Sequence, residues 1–188
     1  MSNLVVGSSL KEFFRLVVGE AVKHQRVTVA EVTEFYLVNL LSEFAQAEKL
    51  FEAEPLAVLY HKALQAERDE RVRMLRRLGD LSLYTAGFFK ESLRDRVVGP
   101  DYYIQMGANA YASLAQMSAS SSFAGVYWEL HQKFSVLTEV LEEIAARGQC
   151  TSPSGTVRVL ESFERDGSKA LGRVLLDAGI MPKGLLPN

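Results

Sequence analysis

Between Phe123 and Ile144 an apolar stripe falls at positions 123, 126, 127, 130, 134, 137, 141 and 144. Steps of three and four become one continuous face only on an α-helix, so this stretch is read as one long amphipathic helix. Gly148 is expected to end it in a left-handed cap, a conformation that costs glycine nothing. No segment shows sustained apolar–polar alternation bounded by hairpin turns, so a sheet has no support. The fold class is therefore all-α, a bundle or array of about six to eight helices. No period of roughly 20 to 50 residues recurs, which argues against a solenoid.

Boundary signals divide the rest of the chain. Ser9-Leu10-Lys11-Glu12 and Thr28-Val29-Ala30-Glu31 both fit the capping box, in which a hydroxyl and a carboxylate satisfy the first free amides, so a helix is expected to start at each. The second helix has Leu37, Leu40, Leu41 and Phe44 facing inward and frays near Ala47. Pro55 suits the first turn of a third helix. The segment from Arg68 to Phe89 is helical, and the charged run at 66–71 is where a break from the third helix would be solvated most easily. Gly99-Pro100 stops one element and opens another that runs to about Met117, followed by a polar hinge, SASSS, at 118–122. CTSPSG is a loop, residues 157–179 form one or two short helices closed by Gly179, and 181–188 is an irregular tail after a single helical domain spanning 1–180.

Charge narrows the partners. A formal net charge of −2 with pI near 6.0 offers no positive field for nucleic acid. The lone Cys150 cannot form an internal disulfide, and the first residues lack the basic and apolar blocks of a secretory signal, so the expected compartment is the cytoplasm. From Tyr102 to Trp128 no residue is charged, but Gln105, Asn109, Gln116 and the serines make this segment one buried in protein, not in lipid.

Chemistry is sparse. His24, His61 and His131 have no ligand partners at metal-binding spacing, so no metal is expected. Cys150 has no adjacent base, and Gly99, Gly107 and Gly125 are too widely spaced for a phosphate cradle, so neither a catalytic residue nor a cofactor is assigned.

The remaining candidates cluster at mid-chain. LGDLSLYTAGFF, residues 78–89, sets Asp80 inside an apolar helix, one turn after Arg76 and Arg77. Those spacings, i,i+4 and i,i+3, let either arginine pair with the acid, with Gly79 thinning the helix so that another backbone can approach. The structural role, an ion pair, is favoured over a functional carboxylate. Tyr84, Phe88, Tyr102, Tyr103 and Tyr111 gather near it, beside small residues that would suit either dense packing or a cavity.

LGDLSLYTAGFF together with DYYIQMGANAY resembles a pattern of uncharacterised bacterial helical proteins, L-G-D-x-x-L-aromatic-x-x-G-F-F followed by D-Y-Y-I-x-M-G-x-x-A-Y. The resemblance covers residues 78 to 111 and implies a bacterial source without an activity. A ligand- or partner-binding site is placed at Asp80, Tyr84, Phe88, Asp101, Tyr102, Tyr103 and Tyr111. The expected function is non-enzymatic, through protein contacts, as a homo-oligomer or a regulatory or scaffold partner. The alternative is a small-ligand protein or enzyme with a pocket between the 78–89 and 101–117 helices.

Overall fold

The computed structural model describes residues 2–47, 54–94, 96–119 and 121–183, with 2–8 as backbone alone. Among them it contains ten α-helices and no strand: α1 Ser2–His24, α2 Glu31–Gln46, α3 Leu56–Gln65, α4 Arg68–Phe88, α5 Lys90–Arg94, α6 Pro100–Met117, α7 Ala124–Gln132, α8 Phe134–Gln149, α9 Pro153–Asp166 and α10 Lys169–Asp177. The all-α expectation holds, but the helices outnumber the six to eight read from the sequence. No described helix is long and apolar enough to cross a membrane.

The extra elements come from breaks that periodicity does not register. The stripe from Phe123 to Ile144 is split at Lys133, with φ −103° and ψ 11°, into α7 and α8. The apolar spacing survives the break because one residue out of register still keeps both faces on the same core. Gly148 lies inside α8, which ends at Gln149. The left-handed glycines are Gly167, between α9 and α10, and Gly179. The expected loop CTSPSG is shorter than its composition suggests, since Pro153 opens α9 and the Ser152 hydroxyl accepts the amide of Gly155. Of the tail, residues 184–188 lie outside the described residues, and Met181–Lys183 are non-helical.

Two helix starts also differ. The backbone of α1 runs helically through Ser9, since a Ser-x-x-Glu pair caps only where the chain before it is non-helical. At α2 the N-cap is Ala30, and the free amide is satisfied from across the fold. Glu129 of α7 accepts from Ala30 N at 3.1 Å and from the Thr33 hydroxyl at 2.5 Å, while Lys133 bonds both Glu129 and the Thr28 carbonyl. Pro55 is the N-cap immediately before α3. The break between α3 and α4 falls at Ala66-Glu67, where the Arg71 guanidinium donates to the carbonyls of Ala63, Leu64 and Ala66 and so closes the end of α3.

Helix α4 is the axis of the molecule, packing chiefly on α6, then on α8 and α3. Its first half is charged, but Leu78, Gly79, Asp80, Leu81, Ser82 and Leu83 are all buried. Six consecutive buried residues leave no solvent face, because a helix turn points in every direction within four. Polar residues in that turn must therefore find partners inside the protein. The main core joins residues of α1 to α4 and α6 to α8, and a second, smaller core of Val159, Phe163, Leu171, Val174 and Leu175 lies under α9 and α10 against Ala146 of α8.

Candidate functional site

Asp80 is 9% exposed, and its neighbours come from three helices. The Tyr36 hydroxyl of α2 donates to Asp80 Oδ1 at 2.5 Å, and the Tyr111 hydroxyl of α6 donates to the same oxygen at 2.7 Å. Arg76, one turn earlier on α4, places Nε 3.5 Å from Oδ2 and its guanidinium carbon 5.5 Å from the centre of the Tyr36 ring. Tyr127 of α7 completes the group: its ring stacks on Tyr111 and meets Tyr36 edge-on. The expected arginine partner is therefore Arg76, while Arg77 makes no ion pair among the described residues. The acid's shortest bonds are to the two phenols.

Glycine makes this approach possible. A Cβ at Gly79 would stand 2.7 Å from the Tyr111 ring, so the thinned side of α4 receives an aromatic ring where a backbone was expected. At Gly107 of α6 a Cβ would meet the Phe134 ring and, at 2.7 Å, Cβ of Ser82, which lets α6 close onto α4 and α8. The Ser82 hydroxyl is buried there without a hydrogen-bond partner.

Burial raises the Asp80 carboxyl to a pKa of about 6, against the opposing pull of the Tyr36 and Tyr111 bonds and of the Arg76 charge. The same burial, with the carboxylate alongside, pushes both phenols well above the usual tyrosine range. Neither phenol is thus a ready acid or base near neutral pH. Tyr111 is fully buried, and none of the surface grooves described below is lined by Asp80. The arrangement is a clasp tying α2, α4 and α6.

The seven residues named from sequence separate into three places. Asp80 and Tyr111 form the clasp. Tyr84 stacks between Phe44 and Phe88, with ring centres 4.6 and 4.8 Å away, in a half-buried aromatic layer beside the core. Asp101 is exposed in the first turn of α6, and the half-buried Tyr102 and Tyr103 meet edge-on behind it. A groove of about 450 Å³ is lined by Leu56 at the start of α3, Leu81 and Thr85 of α4, Leu93 of α5 and Tyr103 of α6. Of the seven, Tyr103 lines it; Asp80, Asp101 and Tyr102 do not.

Tyr36 was missed. It shares the inward face of α2 with Leu37 and Leu40, and a tyrosine on an apolar stripe must place its hydroxyl somewhere, which was the available signal. A second buried acid was missed as well. Glu143 of α8 is fully buried and accepts from Gln25 Nε2 at 2.5 Å and from Arg147, with His24 Nδ1 at 2.9 Å. Arg147 reaches on to Asp177, so the group ties the end of α1 and α10 to α8. Among the described residues no set of His, Cys, Asp and Glu gathers as metal ligands. Burial raises the Cys150 thiol, which keeps it protonated.

The fold and this centre define an all-α protein with a buried polar clasp at its core. No protein-family model, no curated protein and no solved structure matches the chain significantly.

Proposed function

We propose that this is a non-enzymatic helical protein of the cytoplasm that acts through protein contacts, and that its contact surface is the outer side of the α1–α2 pair. One observation carries the reading. Phe13, Leu16, Val32 and Phe35 are 54%, 65%, 56% and 62% exposed on two helices that pack against each other, while the polar cluster around Asp80 is buried. Single exposed apolar residues are ordinary on a soluble surface, but two aromatic and two aliphatic side chains on one helix pair mark an interaction face. The lone Cys150, with no second cysteine to pair with, accords with a reducing compartment.

Photo-crosslinking tests it. A benzophenone amino acid at position 35 or 16 is expected to give a covalent protein adduct in cells. The same group at Val157, equally exposed on α9, is expected to give none. Absence of any protein adduct from positions 16 and 35 contradicts the reading.

A second reading is favoured by the groove lined from α3 to α6, whose Leu56, Leu81 and Leu93 beside Thr85, Arg96 and Tyr103 would suit a small amphipathic ligand. A stoichiometric small-molecule adduct, lost on replacing Leu81 by Phe to fill the groove, would support it.

A further inference from the structure

We propose that the partner of the α1–α2 face is a second copy of this chain, paired about a two-fold axis so that α1 of each copy lies against α2 of the other. The proposal rests on the protein-contact reading above and names its occupant. Between α1 and α2 runs a groove of about 640 Å³ lined by Lys11, Glu12, Arg15, Glu31, Glu34, Phe35 and Val38. Its α1 flank carries Lys11 and Arg15 with Glu12 beside them, a net positive charge, and its α2 flank carries Glu31 and Glu34. None of these five makes an ion pair among the described residues.

A two-fold contact uses the same patch twice, so the patch must complement itself. Here it does. Turning one copy over brings its basic α1 flank to the partner's acidic α2 flank, and the partner's basic flank to its own acidic one. A foreign partner of one dominant charge would satisfy one flank and repel the other. The apolar residues fit the same operation: Phe35 stands 62% exposed at the edge of the groove, placed to enter the partner's groove while receiving the partner's Phe35 in its own. Leu16 on α1, 65% exposed, adds apolar surface to the same helix pair, and the charges that line the groove set register and orientation.

Sedimentation velocity on the full chain decides this. The wild type is expected to form a dimer, and Phe35→Asp to weaken self-association at least about tenfold. Two charge-reversed proteins, Lys11→Glu with Arg15→Glu and Glu31→Lys with Glu34→Lys, are each expected to be monomeric, because each sets like charges against like. Mixed in equal amounts they are expected to form a heterodimer, since both contacts then regain opposite charges. Circular dichroism checks that each variant is folded. Should Phe35→Asp fail to fold, the milder Leu16→Ser with Phe35→Ser takes its place. A monomeric wild type at concentrations up to about 100 μM, or a dimer indifferent to both charge reversals, overturns the proposal. In the first case, protein adducts from position 35 to a different protein would leave the contact reading standing. Absence of adducts together with a monomeric wild type would remove both.

Discussion

Tyr111 Oη lies 2.7 Å from Asp80 Oδ1, and this bond joins the two helices that pack most extensively in the molecule, α6 and α4. Both groups are buried, so the bond is made in low dielectric and to a group that is charged above pH 6. Hydrogen bonds to charged groups contribute about 1.5–3 kcal/mol. Tyr111→Phe is therefore expected to lower stability by about 2 kcal/mol at neutral pH. In double-mutant cycles with Asp80→Ala, measured by urea unfolding, Tyr111 is expected to couple more strongly than Arg76, whose side chain is 47% exposed and screened by water. A larger coupling to Arg76 would make the ion pair, not the phenols, the acid's main partner.

The raised Asp80 carboxyl has a pH signature. A carboxyl that holds its proton to about pH 6 when folded, but only to about 3.8 when unfolded, binds more protons in the folded state between those values. Its contribution to stability is thus full below about pH 4 and is lost as pH rises to 6, by about 3 kcal/mol for a shift of about two units. Asp80→Ala, which strands two buried phenols, is expected to cost most near pH 4 and up to about 3 kcal/mol less at pH 7. Paired urea titrations of the two proteins across this range check it. A penalty that grows with pH would show the carboxyl to be depressed instead.

Ser82 offers the opposite kind of test. Its hydroxyl is buried without a partner, whereas its Cβ packs within the tight α4–α6 contact. Ser82→Ala keeps the Cβ and removes the unsatisfied oxygen, so the protein is expected to gain about 1 kcal/mol, read from the urea midpoint at unchanged slope. Destabilisation on this change would mean that the hydroxyl is bonded.

Glu129 is a cap supplied from another helix. Burial alone would raise its carboxyl, but the bonds from Lys133, Thr33 and Ala30 bring it below the usual 4.5. The stability it contributes is therefore present above that value and lost as the pH falls through the depressed folded one. Glu129→Ala is expected to cost about 1–2 kcal/mol at pH 7, the range for losing an N-cap, and to speed amide exchange in the first turn of α2. Unchanged exchange at Ala30 and Thr33 would contradict this role.

How far the sequence could be read follows from which forces are local. The helix class, the α6 boundaries at Pro100 and Met117 and the end of α2 at Ala47 were legible, because apolar spacing, proline and helix-breaking composition act within a few residues. The break at Lys133 and the cap on α2 were not: Lys133 and Glu129 act on Thr28 and Ala30, a hundred residues away, and no local pattern encodes that pairing. Asp80 was legible as an acid needing a buried partner, yet its chain neighbours suggested arginines. The buried turn around it, closed on every side, admits the flat phenols of Tyr36 and Tyr111, while the long Arg76 side chain keeps its charge partly in water.

The central claim is that the clasp is structural and that the protein works through its surface. Native mass spectrometry of the protein purified from its own source tests this most directly. The account predicts protein assemblies, a dimer foremost, whose subunits have the mass of the bare chain, both in the wild type and in a folded Tyr111→Phe variant. A stoichiometric small molecule on the wild-type chain that is lost in Tyr111→Phe would contradict it, because the centre around Asp80 would then be a binding site.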